Sequence, residues 1–315
     1  MRISNRYMSN HMLNNIQNNL SKLARSQEQI ATGSKLLRPS DNPNAISEFL
    51  KIKATLSYNE QYKVNIDDGL SYLEMADTSM GTLGDILLKA KELALQSAND
   101  TYNTEQRVAI AEQIDKLIDE AVDLANSTVG GKYIYAGKDN GNPPFERNGD
   151  KIIYKGDFSE ITREVLAGTD YVIAEAGVTL APAQMGLYGT CVDDSGEYVV
   201  DQGVFSSLFQ LRDILANSET VDFDNEIQTS IADLSQQHDH VLQKRTATGA
   251  RYRHFDSLKK QLLNQELILT QNLSNIEDAD IARLSIEAAQ QQLSYNASLA
   301  IGAQMMQTSL LNFLR

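Results

Sequence analysis

Charged side chains are missing from two stretches of this 315-residue chain, one near each end. Residues 288–314 contain no Asp, Glu, Lys or Arg, and Tyr7–Ser21 contains none either. The C-terminal stretch carries five glutamines, which makes it too polar for a bilayer. Amide side chains can be buried in an assembly without the desolvation cost of ions. We therefore expect both ends to bury against each other and against other copies of the chain.

Cysteine and proline are also scarce. Cys191 is the only cysteine, which excludes an intrachain disulfide and predicts a structural thiol. The five prolines all lie outside 46–128 and 206–315, the two stretches where apolar residues recur with helical spacing. No apolar run approaches the ~18 residues of a membrane helix. No signal-peptide core follows Arg2 and Arg6, so we expect any export to proceed without a cleaved leader.

The charge is negative overall and unevenly placed. A net charge of −14 argues against a general nucleic-acid-binding protein. Residues 1–45 carry six basic and two acidic groups, whereas residues 276–315 carry four acidic and two basic groups. Most of the negative charge therefore lies in 46–275, where a solvated, acidic outer surface is the expected explanation.

Helical periodicity dominates the two proline-free stretches. Apolar residues at steps of three and four predict one helix over 45–98, roughly 80 Å long. A second helix is predicted to start with Thr104 as its N-cap and to end at Asn126. A short helix around Leu208–Leu215 and a long one from Ile227 follow. These stripes predict long helices packed nearly parallel, as in a coiled coil.

The middle of the chain, residues 132–203, has a different pattern. Glycines are frequent, and Asn148-Gly149 is a hairpin signal. The predicted strands are Tyr133–Ala136, Lys151–Tyr154, Ile161–Leu166 and Tyr171–Ala174. We therefore predict a small β-rich insert between two helical halves.

These patterns together predict a mainly α fold with a small β-rich insert. The chain is expected to form a nested hairpin of long helices, a coiled-coil rod, with the terminal helices paired and the β domain at the tip. The predicted domains are 1–45 with 276–315, 46–131 with 204–275, and 132–203. Apolar stripes on the terminal helices form the predicted assembly interface: Leu13, Ile16, Leu20, Leu23, Ile30, Ile286, Leu293, Ala297, Ala300, Leu311 and Leu314.

Residues suited to catalysis or metal binding do not cluster in the sequence. His238 and His240 are two positions apart, so on a helix they face different directions and are poorly placed for one ion. His238 falls on the apolar stripe, where an interior or interface histidine is expected. Because no acid pair, Ser–His–Asp set or Cys/His cluster stands out, we predict no catalytic residue, cofactor or metal site and no enzymatic activity.

Motifs at both ends resemble the flagellin superfamily. The resemblance covers about 1–136 and 206–315. Asn42 departs from the pattern, since an aspartate is usual at that position. The similar segments are Gln29–Pro43, Glu92–Asn99, Leu273–Ile281 and Leu310–Arg315. Within the first, Pro39, Ser40, Asp41, Asn42 and Pro43 are predicted to turn the chain between helical layers, because proline and Asp or Asn favour turns.

Within the superfamily, Gly131–Gly137 followed by Pro143-Pro144-Phe145 resembles the branch that joins the flagellar hook to the filament. The resemblance implies an extracellular structural adaptor at the hook–filament junction of the bacterial flagellum, exported by the flagellar type III apparatus. Its implied partners are other copies of the chain, a neighbouring hook-associated protein, flagellin, and a cytosolic export chaperone that binds the C-terminal helix. No nucleic acid or membrane partner is implied.

Other functions stay open at this point. Within the same class, the chain could be a minor flagellin that forms filament. In a different class, it could be a secreted adhesin or a surface protein whose insert bears an enzyme site. Lys89–Ser97 resembles the flagellin segment read by an innate immune receptor, but lysines stand where an arginine is usual. Since Arg and Lys differ in hydrogen-bonding geometry, we predict no recognition there.

Overall fold

The structure, a computed structural model, describes residues 5–99, 102–180, 185–194, 196–217 and 222–313, and side chains between 7 and 304 within them. The fold is mainly α with a small β-rich region, as the sequence predicts. The chain divides into two compact units. We call Met1–Asn59 with Leu263–Arg315 the terminal unit, and Glu60–Leu262 the central unit. The three-domain division drawn from the sequence stays a prediction.

Long helices make up most of the described chain. The helix predicted over 45–98 is confirmed as α2, and α2 and α5 have 55 residues each. The short helix predicted around Leu208–Leu215 is also confirmed, as α4. The helices are α1 Asn5–Thr32, α2 Pro43–Ser97, α3 Thr104–Ala125, α4 Val204–Ala216, α5 Phe223–Glu277 and α6 Ile281–Phe313.

Helix α3 is capped one residue earlier than predicted. Asn103, not Thr104, is the N-cap: its side chain accepts a 2.8 Å hydrogen bond from the Gln106 backbone. The Gln106 side chain in turn accepts from the Asn103 backbone N–H at 3.1 Å, which completes a capping box. Asn126 is the C-cap, as predicted.

The β region contributes nine short strands to the described residues. They are β1 Thr128–Val129, β2 Lys132–Tyr133, β3 Phe145–Asn148, β4 Lys151–Tyr154, β5 Ile161–Leu166, β6 Thr169–Ala174, β7 Val178–Thr179, β8 Gly189–Asp194 and β9 Glu197–Gln202. Five form one sheet in the order β3-β4-β9-β8-β7, antiparallel except for the parallel β7–β8 pair. The other four form two hairpins, β1–β2 and β5–β6.

Three of the four predicted strands are confirmed as β4, β5 and β6. The fourth was wrong in extent, because only Tyr133 of Tyr133–Ala136 lies in a strand. Backbone groups of the next three residues hydrogen-bond three different segments, at Ser127, Gly177 and Asp157, so no ladder forms. The predicted Asn148-Gly149 turn is confirmed: Asn148 pairs with Lys151, and Gly149 has a φ of 63°, which glycine adopts without strain.

The central unit has a continuous apolar core. Helix α4 packs into it, and Phe205 is fully buried. Its ring stacks on Tyr188 at a centroid distance of 5.3 Å and lies 5.8 Å from Phe145. Cys191 is buried in the same core, and burial raises the pKa of its thiol to about 12. This thiol is therefore protonated at neutral pH, in line with the structural role predicted for it.

Ion pairs join the β3–β4 hairpin to the neighbouring helices of the central unit. Arg147 on β3 binds the carboxylates of Asp115 and Asp119 on α3. Arg212 on α4 also reaches Asp115, at 3.4 Å, and it lies 2.9 Å from Asp150. The hydrogen bond from Arg147 holds the pKa of the Asp115 carboxyl below its usual range. These ion pairs connect α3, α4 and the β3–β4 hairpin, and their charged groups are only partly buried.

The histidines are held apart, as their spacing predicts. The His240 ring lies 2.9 Å from the carbonyl of Gly186, whereas His238 lies half-buried beside Asp239 at 3.7 Å. Among the residues that the structure describes, no three His, Cys, Asp or Glu side chains are grouped to hold a metal ion. Across the same residues, none of the helices combines the length and apolar character needed to span a bilayer.

Candidate assembly surface

The two terminal helices, α1 and α6, pair in an antiparallel arrangement. The Ser26 hydroxyl donates to the Gln291 side chain at 2.8 Å, and the Asn19 amide donates to the Ser298 hydroxyl at 3.4 Å. Asn19 and Ser26 are seven residues apart on α1, as are Gln291 and Ser298 on α6. The two hydrogen bonds therefore lie about two turns apart on one face of each helix. The pairing of the terminal helices predicted from the sequence is therefore confirmed.

We call the paired faces the seam. Leu23 and Ser26 are its most buried side chains, with exposed fractions of 6% and 5%. Gly302 faces α1, and an added Cβ would lie in van der Waals contact, 3.5 Å from side-chain atoms of Ile16 and Met12. The seam consists of Met12, Ile16, Asn19, Leu23, Ser26 and Ile30 on α1, and of Leu284, Ala288, Gln291, Tyr295, Ser298 and Gly302 on α6.

The opposite side of α6 also carries apolar side chains, and these are exposed. Ile286 and Leu293 are 64% and 71% exposed, and Ala297 and Ala300 are exposed beside them. At about 100° per residue, these four positions lie roughly 160–220° around the helix from the seam. We call them the outward face of α6. Such a face on a helix whose partner is already in place is typical of a second, intermolecular contact.

The predicted interface residues thus separate into two groups. Ile16, Leu23 and Ile30 lie in the seam, whereas Leu13 and Leu20 stay about half exposed beside it. On α6, the predicted residues with described side chains are all on the outward face: Ile286, Leu293, Ala297 and Ala300. Leu311 belongs to α6 without a described side chain, and Leu314 lies outside the described residues. What the exposed group binds stays a prediction.

Sequence reasoning missed the polar half of the seam. Gln291 and Ser298 are not among the predicted interface residues, yet they contact α1. Their seven-residue spacing, matched by Asn19 and Ser26 on α1, is the signal that could have revealed them.

A short backbone bridge fixes the base of the helix pair. Ser34 pairs with Asp278 as an isolated antiparallel bridge. The Lys35 N–H donates to the Glu277 carbonyl at 2.7 Å, and the Ala279 N–H donates to the Gly33 carbonyl at 2.8 Å. Gly33 ends α1 with a φ of 69°, the left-handed conformation common after a helix. The segment after α1 and the segment before α6 are therefore joined through main-chain groups.

Of the five predicted turn residues, Pro39, Ser40 and Asp41 lie in a turn between α1 and α2, whereas Asn42 and Pro43 lie at the start of α2. The Asp41 carboxylate accepts a 3.1 Å hydrogen bond from the Arg38 N–H and forms a 3.1 Å ion pair with Arg25. The Asn42 side chain accepts from the Ala45 N–H at 3.2 Å, so it caps α2, and Pro43 is the first helical residue. The role of this turn between layers of an assembly stays a prediction.

Comparisons with known proteins agree with these features. Residues 3–140 match the family described as bacterial flagellin N-terminal helical region. The chain is 25% identical to flagellar hook-associated protein 3 of Escherichia coli, over 94% of this chain and 96% of that one. It is 28% identical to a flagellin of Clostridium tyrobutyricum, over 41% of this chain and 34% of that one.

A solved structure shares the fold. The crystal structure of FlgL from Xanthomonas campestris superposes with a TM-score of 0.58, covering 71% of this chain and 99% of that one at 21% identity. The chain therefore resembles the flagellin family over residues 3–140, and it resembles flagellar hook-associated protein 3 over nearly its whole length.

Proposed function

We propose that this chain is a structural adaptor of the bacterial flagellum that joins the hook to the flagellin filament. It acts by axial self-assembly through its terminal helices. The observation that carries the proposal is the outward face of α6, where large apolar side chains are exposed although the helix is already paired with α1. Burying Ile286 and Leu293 in a neighbouring subunit would stabilise the assembly by about 1.5–3 kcal/mol for each side chain.

The match in length favours an adaptor over a minor flagellin. Hook-associated protein 3 aligns with nearly the whole chain, whereas the Clostridium flagellin aligns with less than half of it. The partners that follow are other copies of this chain, a neighbouring hook-associated protein on the hook side, and flagellin on the filament side. The named relatives are flagellar proteins, so we propose a structural role without catalysis.

The location follows from the same role. We propose that the chain leaves the cell through the flagellar type III apparatus and resides outside it, at the hook–filament junction. A cytosolic chaperone would cover the C-terminal helix before export. This helix needs such cover because its outward face would otherwise promote aggregation in the cytosol.

We further propose that the terminal helices pair only transiently in the free chain and become stably ordered on assembly. Within the described residues, Leu23 is the only apolar side chain of the terminal unit that is buried. The entropy of ordering a residue is about 1–2 kcal/mol, which so little burial does not offset. Limited proteolysis of the free chain should remove both ends rapidly and leave a resistant fragment. Ends that resist the protease in the free chain would contradict this part of the proposal.

The main test is assembly onto isolated hook and filament ends, followed by electron microscopy. The parent chain should add a short layer to these ends and should not form long filaments by itself. Ile286→Gln with Leu293→Gln should abolish addition, because glutamine side chains are hydrated and gain little free energy from burial at the contact. The control is Leu180→Gln, which changes a leucine of the central unit that is 52% exposed.

Three results would contradict the proposal. Long filaments grown from the parent chain alone would make it a flagellin. Normal addition of the α6 variant would exclude the outward face as the contact. Loss of addition in the Leu180→Gln control would show that exposed apolar side chains matter anywhere on the molecule. The melting temperature of the central unit, measured for each variant, separates an assembly defect from unfolding.

A further inference from the structure

Helix α6 carries apolar side chains on two faces, and only one of them meets α1. The outward face presents Ile286 and Leu293, whereas the seam presents Leu284 and Tyr295. Apolar burial alone does not choose between these faces, because each offers two large apolar side chains. A further interaction must therefore decide which face of α6 meets α1.

The polar pairs of the seam supply that interaction. Ser26 is almost completely buried and would lose a hydrogen-bond partner if α6 were rotated. Asn19 and Ser298 form the second pair two turns away. A buried polar residue at a helix–helix contact is known to fix register and orientation at some cost in stability. Two such pairs with equal spacing constrain both the rotation and the axial position of α6.

We propose that the Ser26–Gln291 and Asn19–Ser298 pairs are orientation determinants, which turn the outward face of α6 away from α1. They thereby leave the outward face of α6 free to contact a neighbouring subunit. This inference deepens the proposed function, on which its second half rests. The four residues act by positioning α6 and need not touch the neighbouring subunit themselves.

Disulfide trapping in the full-length chain tests the orientation directly. Ile16→Cys with Gly302→Cys reports the observed orientation, because these positions are in contact across the seam. Ile16→Cys with Ala300→Cys reports a rotated α6, because Ala300 lies on the outward face. Chains with a single introduced cysteine reveal any reaction with the buried Cys191.

Both reporter pairs are placed in three backgrounds: the parent, a seam variant and a surface variant. The seam variant removes both polar pairs with little change in volume: Asn19→Leu, Ser26→Ala, Gln291→Leu and Ser298→Ala. The surface variant makes the same four changes of residue type at exposed positions: Asn18→Leu, Ser21→Ala, Gln292→Leu and Ser294→Ala.

In the parent, we expect the 16–302 disulfide to form at least about tenfold faster than the 16–300 disulfide, a preference of about 1.4 kcal/mol. The seam variant should reduce this ratio to about threefold or less, whereas the surface variant should keep the parent ratio. An unchanged ratio in the seam variant would overturn the proposal. Equal rates in the parent, or loss of both disulfides in the seam variant, would overturn it too.

Intrachain trapping does not depend on assembly, so the two proposals can fail separately. A parent chain that forms the 16–302 disulfide but does not add to hook or filament ends would contradict the proposed function alone. A seam variant with the parent ratio that also adds normally would contradict the orientation proposal alone.

Discussion

The terminal and central units are both built largely from long helices, yet the central unit buries many apolar side chains whereas the terminal unit leaves most of them exposed or partly exposed. In the central unit, the stripes of α2 and α5 close around a continuous core that includes Leu83, Leu87 and Leu234. In the terminal unit, Leu23 is the single buried apolar residue among those described. More than half of the exposed large apolar side chains belong to the terminal unit. The difference teaches that helical periodicity indicates a buried face but does not say within which molecule it is buried.

The two units also differ in the polar groups that connect their elements. The central unit fastens its β region with charges, such as Arg147 with Asp115, that remain partly in water. The terminal helices instead pair through uncharged groups, as in Ser26 with Gln291. Ions left in water have only a small desolvation cost, whereas ions buried in an assembly would have a large one. This choice of uncharged side chains is consistent with the proposed burial of the terminal helices in an assembly.

The largest expected effect is loss of a core aromatic ring from the central unit. Phe205→Ala removes a fully buried ring that stacks on Tyr188, so we expect the free energy of unfolding to fall by about 3–5 kcal/mol. Urea denaturation followed by circular dichroism measures the change. The comparison between units supplies the control. Leu23→Ala in the free chain should leave the central transition within about 0.5 kcal/mol of the parent value. Similar losses for both variants would remove the distinction between the units.

A smaller effect is expected from the charges that fasten the β3–β4 hairpin. Asp115→Asn weakens contacts to Arg147 and Arg212, and we expect a loss of about 1 kcal/mol near pH 7, reduced from the usual value because the carboxylate is partly exposed. Asp194→Asn is the matched control, since Asp194 pairs with Lys151 at a more exposed site, 3.1 Å away.

The pH dependence of this loss gives a second test. Hydrogen bonding to Arg147 lowers the native pKa of Asp115 below its unfolded value of about 3.9. The stabilisation is therefore fully present above about pH 4 and disappears as the pH falls through the native pKa. Urea denaturation between pH 7 and pH 2.5 should show the parent and Asp115→Asn curves converging in acid. A difference that stays constant over this range would contradict the assignment.

The sequence predicted the helical part of the fold well because regular burial leaves a regular pattern. The stripe through Ile66, Leu73 and Leu87 runs in register with one long helix, and α2 follows it. Strands β4 and β5 were also predicted, since their β-branched residues are concentrated between turn signals. Strands β8 and β9 were missed, because each mixes apolar and acidic residues without clean alternation, as in Cys191 and Asp193 of β8 and Val200 and Asp201 of β9.

The assembly surface could be predicted only in part. The charge-free stretches pointed correctly to α1 and α6, since an absence of charge can be seen in the sequence without knowing which side of a helix meets its partner. The assignment of residues to the seam or to the outward face could not be made from apolar spacing, because Gln291 and Ser298 occupy positions where aliphatic residues are more usual. These side chains can be assigned to the seam only when their hydrogen-bond partners on α1 are known, and the structure identifies those partners as Ser26 and Asn19.

The turn before α2, which lies inside the terminal unit, gives another test of the difference between the two units. Pro39→Ala with Pro43→Ala frees two φ angles and removes the proline at the first position of α2, so we expect at most about 1 kcal/mol of local destabilisation. Assembly onto hook and filament ends should suffer more than the melting temperature of the central unit. Pro143→Ala is the control, because this exposed proline lies in the central unit. An unchanged yield of assembled ends with the double variant would contradict a special role for this turn.

The smallest expected effect comes from the glycine of the seam. Gly302 lies within α6, where glycine is less favourable than alanine by about 0.5–1 kcal/mol. An added Cβ would lie 3.5 Å from Ile16 and Met12, an ordinary van der Waals distance, so Gly302→Ala should fit without displacing α1. We expect slower proteolysis of the C-terminal helix by about twofold, with the central unfolding transition unchanged. Gly249→Ala, in α5 of the central unit, adds a methyl group in open space and should not change this rate. Faster proteolysis of the Gly302→Ala chain would contradict this expectation. It would mean that α1 and α6 lie closer together in solution than in this structure, so that the added methyl group pushes them apart.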